Sequence, residues 1–548
     1  MEDKKEVEQL ENVDEAVEVS TEKKKKSKKK VWIIVGIVVF LLALLAGILF
    51  LLFNKKENKT SKPKKEVKSE YRMSGNSLEA FDLYFLQLEN EEKNKVYSPL
   101  SIKYALEMLA EGADGDTKAQ LDAVIGDYKV KKYPNNDHMS FANAMFIRNS
   151  FKDNVKEEYT KTLKDKYNAE VIYDEFKDPK TINDWVSNKT FKLIPSLVDD
   201  VSGNDFFLIN ALAIDMNWNN QIHCATGSKA TVPCVDDGMY SINYAHEKLD
   251  DESTTAYSVV DYPYTSEDDF YGGYTSDNEF NGQKHTKGAT VLADYNKYDI
   301  IKDLGEEKIR EILKPEYEAW LKTEEGKNDK PLEEGINKFI EELKSNYGKS
   351  ANSTDFLVHE DDSVKVFAKD LKKYEDMTLQ YVGIMPKKEK LNNFVKNTNK
   401  DELNKIIKNL KEVKIDSFEE GYVTRIRGFI PFFKFEDELK LKEDLKELGI
   451  KDVFDPDKSD LSKMTSKAVI DKAIHKATIE FSNEGIKASA ATSVGGYGAA
   501  HGPYFEHLFK VPVKEIDVTF DKPYMFIIRD KDSGEVWFAG TVYEPIKK

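Results

Sequence analysis

The residues of this 548-residue chain that could do chemistry are few for its size. Its eight histidines show no His-Glu-x-x-His pairing and no nucleophile spacing, and His246-Glu247 has no second ligand at the metal interval. Cys224 and Cys234 are too few for a disulfide scaffold or a four-cysteine zinc site, although they are close enough in sequence to close one small disulfide loop. Asp277, Glu279, Asn281 and Gly282 partly follow a calcium-loop pattern, but its twelfth position is Gly288, which has no carboxylate. No nucleophile, base and orienting residue come together, so neither an enzyme nor a metal or cofactor is expected. What remains is a backbone pattern. After Gly485, the residues Ile486, Ala488, Ala490, Thr492 and Val494 alternate with Lys487, Ser489, Ala491 and Ser493. A period of two is what a strand needs to place one face in a core, and small side chains let it enter an existing sheet without overpacking. On spacing alone, an Ala-rich loop or short helix fits these residues as well.

The rest of the chain is long enough, and at 40% hydrophobic residues apolar enough, for a large core. Lys and Arg number 82 against 99 Asp and Glu, a formal charge of -17, so nucleic acid is not an expected partner. Residues 1–30 are highly charged. Residues 31–53 then contain no charge and no proline, and as a helix they would span a hydrocarbon core about 30 Å thick. A polar, Lys-rich stretch over residues 54–75 reads as a stalk. The Lys23 to Lys30 cluster abuts the apolar run, which favours a cytoplasmic N-terminus and an extracellular remainder.

Globular patterning starts near Ser77. Leu78 to Leu88 reads as a helix, Ser98-Pro99 as the start of a second, and Thr117 as the cap of a third. Phe206 to Ile214 is a near-continuous apolar run, as in a central strand covered on both faces. Leu379 to Met385, Arg425 to Phe433 and Tyr524 to Ile528 are further strands, and Lys440 to Leu448 is a helix stopped by Gly449. Strands and helices occur in runs rather than in alternation, which favours an α+β fold.

In order along residues 77–548, Ser98-Pro99-Leu100-Ser101-Ile102, Gly112-Ala113-Asp114-Gly115-Asp116-Thr117, Asn210-Ala211 with Trp218, His475-Lys476-Ala477, Asn483-Glu484-Gly485 and Phe520-Asp521-Lys522-Pro523-Tyr524-Met525-Phe526 together resemble the serpins, the serine protease inhibitors. Tyr524 departs from the family's usual Phe, and Ile486 from its usual Thr or Ser. The resemblance implies a serpin-like fold with a large central β-sheet, further sheets, surrounding helices and an exposed reactive loop. Residues 76–548 would form this domain. About 240–362 do not fit the pattern and read as an inserted subdomain, Tyr- and acid-rich early and helical near Ile336, Phe339, Ile340 and Leu343.

In inhibitory serpins the alternating stretch is the hinge of a loop that a protease cleaves and that then inserts into the sheet, trapping the enzyme as an acyl complex. The resemblance assigns Glu484, Gly485, Ile486, Ala488, Ala490 and Thr492 to that hinge and Trp218 to the place where the loop enters. It assigns Ser98, Ser101, Asn210 and His475 to a polar cluster beneath the opening. Counting from the hinge puts the bait bond at Ala499-Ala500; counting back from Pro523 puts it near Pro512, and the hinge count is preferred because the inserted length sets inhibition. Cleavage after Tyr497 is the other choice near the hinge count. Gly495, Gly496 and Gly498 depart from the pattern and raise the entropy of the loop. The expected protein is thus a membrane-tethered extracellular monomer whose partner is a serine, or else a cysteine, protease. The alternative is a non-inhibitory binding or structural module that kept the fold.

Overall fold

The computed structural model describes residues 69–219, 222–227, 230–233, 244–247, 254–259, 280–282, 288–293, 305–345, 356–413, 423–466, 468–482, 484–486 and 510–546. The apolar run 31–53 lies outside them, and among the described residues no helix is long and apolar enough to cross a membrane. Residues Glu66–Lys548 form one compact unit.

Its core is built on an antiparallel seven-stranded sheet. The strands run in the order Lys95–Tyr97, Val536–Val542, Tyr524–Asp530, Leu379–Pro386, Val364–Asp370, Phe356–Glu360 and Lys411–Glu412. Leu379–Pro386 and Val536–Val542 are buried along their whole length, so neither face of the central strands meets water. A second sheet of seven strands follows the order Ala230–Pro233, His223–Gly227, Gly288–Ala293, Val423–Pro431, Lys510–Asp517, Thr254–Val259 and Tyr244–Glu247.

The third assembly is divided. One half is Glu170–Asp174, Met139–Arg148 and Phe206–Ile214. The other is Phe433–Lys440, Ile474–Phe481, Gly485–Ile486 and Met216–Asn217. Only Asp215 separates Phe206–Ile214 from Met216–Asn217, so one chain segment joins the halves at one end. Along Ile474–Phe481, His475, Ala477, Ile479 and Phe481 are buried and the residues between them are not, the period-two signature of a strand with one wet face.

Helix Pro99–Gly112 lies against this assembly. Ser98 caps it by accepting from the Ser101 N–H, and Pro99 occupies the first turn, where no intrahelical donor is needed. The helix ends at Gly112, packed so closely that a Cβ there would sit 2.9 Å from the Met464 Cβ. The next helix, Gly115–Ile125, corrects the sequence expectation at its start. Asp114 takes the N-cap position, and Thr117 lies inside the first turn, buried, with its hydroxyl accepting from the Asp460 N–H. The expected strand Arg425 to Phe433 is in fact the end of Val423–Pro431 and the start of Phe433–Lys440, strands of two different sheets.

Within the stretch expected as an insertion, Gly288–Ala293 makes six register pairs with Val423–Pro431, and Phe356–Glu360 pairs into the first sheet. Between them, helices Glu306–Trp320 and Leu332–Ser345 enclose their own core of Ile309, Leu313, Tyr317, Ile336 and Ile340.

Candidate functional site

The two halves of the divided sheet meet around Trp218. Its indole is fully buried, 5.3 Å from the Phe481 ring and 6.0 Å from Tyr381. Its backbone N–H donates to the Glu484 carbonyl at 2.8 Å, and its Nε1 donates to the Ser482 carbonyl at 2.9 Å. Trp218 therefore holds both sides of the turn that leads from Phe481 into Gly485. Gly485 lies opposite Asn217 and Ile486 opposite Met216, while Ile486 also pairs with Phe481 on its other side. No larger residue fits at Gly485, because a Cβ would sit 2.1 Å from the Met216 carbonyl oxygen. Ile486 is buried, and the chain after it leaves the described residues.

Below this point the two halves part. Among the described residues, Phe206–Ile214 pairs only with Met139–Arg148, and Ile474–Phe481 pairs only with Phe433–Lys440 and Gly485–Ile486. No ladder joins Phe206–Ile214 to Ile474–Phe481. Three cavities follow one another along the seam instead. The first, about 510 Å³, lies between Leu212, Ile214 and Thr478 to Glu480, with Ile528 and Phe538 among its walls. The second, about 60 Å³, lies between Asn210 and His475. The third, about 340 Å³, lies between Phe206 to Ile209 and the segment Ala468 to Ile474. Segment Phe191 to Pro195 borders the first cavity, and Phe191 and Lys192 both have positive φ, 53° and 68°, a conformation that costs β-carbon residues energy.

The middle of the seam holds the polar cluster. The Ser98 N–H donates to His475 Nε2 at 2.9 Å, so that nitrogen is the unprotonated one. Burial pushes the His475 imidazole down from its ordinary 6.5 to about 4, which keeps the ring neutral. The Ser101 hydroxyl donates to Asn210 Oδ1, and Asn210 Nδ2 donates to Asn143 Oδ1 at 2.7 Å. Asn143 Nδ2 in turn donates to the Tyr167 carbonyl at 2.8 Å. The structure thus brings Ser98, Ser101, Asn210 and His475 together across the seam. The sequence reading missed Asn143, although a lone amide in the apolar run Phe141 to Ile147 was a signal that it must find a buried partner.

Of the other expected residues, Glu484, Gly485 and Ile486 stand at the mouth of the seam. Ala488, Ala490, Thr492, Ala499 and Ala500 lie outside the described residues, as do Cys234 and the side chain of Cys224. Asp277 and Glu279 also lie outside, and among the described residues no cluster of His, Cys, Asp and Glu could hold a metal ion. The Ser98–His475 and Ser101–Asn210 bonds tie the start of one helix to both halves, so one of them must be exchanged if the halves move apart.

A family model described as Serpin (serine protease inhibitor) matches residues 75–229 and 351–545, leaving 230–350 between its two blocks. Neuroserpin of Mus musculus is 23% identical over 480 residues, covering 83% of this chain and 87% of the relative. Leukocyte elastase inhibitor of Homo sapiens is 36% identical over a shorter stretch of 118 residues, 21% of this chain and 28% of the relative. Among solved structures, the thermophilic serpin Tengpin in its native state superposes with a TM-score of 0.52 at 21% identity, covering 85% of this chain and 93% of that one. The divided sheet, the Trp218 clasp and the matched blocks lead to one conclusion: the chain belongs to the serpin family.

Proposed function

We propose that this protein inhibits serine proteases, or else cysteine proteases, as a suicide substrate. A target enzyme cleaves the segment after Ile486, and that segment then inserts as a strand along the seam. The observation that carries the reading is that, among the described residues, no ladder joins Phe206–Ile214 to Ile474–Phe481 beyond the Gly485–Ile486 pairing, and cavities line the seam between them. Two registers measured from opposite sides of the gap agree on what would fill it. Continued down Phe206–Ile214, the pairing Ile486↔Met216 sets Ala488 against Ile214, Ala490 against Leu212 and Thr492 against Asn210. Continued down Ile474–Phe481, the pairing Ile486↔Phe481 sets the same residues against Ile479, Ala477 and His475. Leu212, Ile214 and Met216 share one core, so parity is kept across Asp215. Both registers turn Ala488 and Ala490 toward the apolar floor and bring the Thr492 hydroxyl to the Asn210 and His475 cluster.

The register along Phe206–Ile214 runs out at Gly496, opposite Phe206. A cut at Ala499-Ala500 therefore lies just past the length that inserts. The catalytic groups belong to the protease, and the inhibitor contributes the segment that inserts. Residues 31–53 would tether the molecule to a membrane with residues 76–548 outside the cell, where a protease would meet it, and the stretch of about 240–362 would carry an inserted subdomain. Incubation of the protein with serine and cysteine proteases should give an SDS-stable adduct. Catalytic cleavage of the loop by every enzyme tested, with no adduct, would refute the proposal.

A further inference from the structure

The second sheet carries a feature that neither the seam nor trapping requires. Strands Tyr244–Glu247 and Thr254–Val259 form an antiparallel hairpin, with Tyr244 opposite Val259 and Glu247 opposite Ala256. The other edge of Thr254–Val259 pairs with the start of Lys510–Asp517, setting Ala256 opposite Lys510, Thr255 opposite Val511 and Thr254 opposite Pro512. Val423–Pro431 pairs with the remainder, from Val513 to Asp517. Among the described residues, Lys510 to Pro512 are thus held by the hairpin alone. Among the described residues the hairpin covers this edge only from Lys510 to Pro512; take it away and the edge of Lys510–Asp517 is bare along its whole length. A border strand offers a row of unpaired N–H and C=O groups to any extended chain that meets it. Pro512 lacks an N–H and blunts one position of that row only.

We propose that the hairpin Tyr244–Val259 is a built-in occupant of this edge, which fixes the first residues of Lys510–Asp517 in the sheet and denies them to an extended segment of a second copy of the chain. The claim does not depend on protease trapping, because it concerns the uncut molecule. It is tested on the detergent-solubilised full chain by hydrogen exchange of the Lys510 and Val511 amides and by light scattering across a concentration series. Replacing residues 240–262 with a short Gly-Ser link should speed exchange by a hundredfold or more at whichever of the Lys510 and Val511 amides faces the hairpin, and produce concentration-dependent oligomers. Thr255→Pro and Ala256→Pro test the same contact if the deletion does not fold. Neighbouring strand residues point their N–H groups to opposite sides, so one of these two substitutions removes a bond that faces Lys510–Asp517. That one should raise exchange at the hairpin-facing amide of the pair Lys510 and Val511, and the other should not. Unchanged protection and unchanged particle size in the deletion, or in both proline variants, would overturn the proposal.

Discussion

A proline at Ala490 is the sharpest perturbation of the proposed insertion. The two registers set position 490 between Leu212 and Ala477, both buried. Proline there removes one ladder donor, a net loss of about 0.5–1.5 kcal/mol, and leaves the facing carbonyl buried without a partner, at about 1–3 kcal/mol more. A total of about 2–4 kcal/mol, if felt fully in the step that closes the gap, slows insertion roughly 30- to 1000-fold. Insertion competes with deacylation of the protease, so a delay of that size turns most encounters into simple hydrolysis. The assay is a titration of protease activity against inhibitor, with adduct read on a denaturing gel. Ala490→Pro should raise the number of inhibitor molecules consumed per enzyme trapped by tenfold or more. Glu506→Pro, which lies beyond the last register position at Gly496, should leave that number unchanged. Equal adduct yield from Ala490→Pro and the parent, or equal losses from the two variants, would refute the reasoning.

Further outcomes follow from the site and the core. Gly485→Ala sets a Cβ against the Met216 carbonyl and should loosen the clasp, seen as a red shift of Trp218 emission with the other tryptophans replaced by Phe. Burial holds the folded-state His475 near 4 against an unfolded value near 6.5, so its contribution of about 3 kcal/mol is complete above pH 6.5 and is lost as the pH falls toward 4; in urea melts at a series of pH values, His475→Gln should flatten that acid limb. Lys103 Nζ lies 2.6 Å from Asp82 Oδ1 with both side chains fully buried, so Lys103→Met alone should cost about 3–5 kcal/mol by urea denaturation. Lys103→Met combined with Asp82→Leu should cost less, because no lone buried charge remains.

Much of the site was legible in the sequence because its residues break a local pattern for a reason. Asn210 interrupts an apolar strand, His475 opens an alternating one, and Gly485 stands where only a glycine lets two backbones approach. Ser98-Pro99 declared its helix through capping chemistry that needs no tertiary context. Thr117 misled because a hydroxyl near a helix start can cap it or reach elsewhere, and here the Asp460 backbone recruited it while Asp114 took the cap position. The split of Arg425 to Phe433 between two sheets was hidden because strand periodicity reports which face is buried and not which sheet buries it. For the same reason, the hairpin Tyr244–Val259 could not be read from residues with no apolar alternation of their own; its place comes from backbone pairing with a strand about 250 residues away.

The claim beneath all of this is that the segment after Gly485 has a more favourable place inside the divided sheet than outside it. Nicking that segment with a protease that is not trapped, then comparing the melting temperatures of intact and nicked protein, tests the claim directly. A filled gap adds ladder bonds on both sides and covers the apolar walls of the seam, so nicked protein should melt roughly ten degrees or more above intact protein. A nicked protein that melts at or below the temperature of the intact one would contradict it.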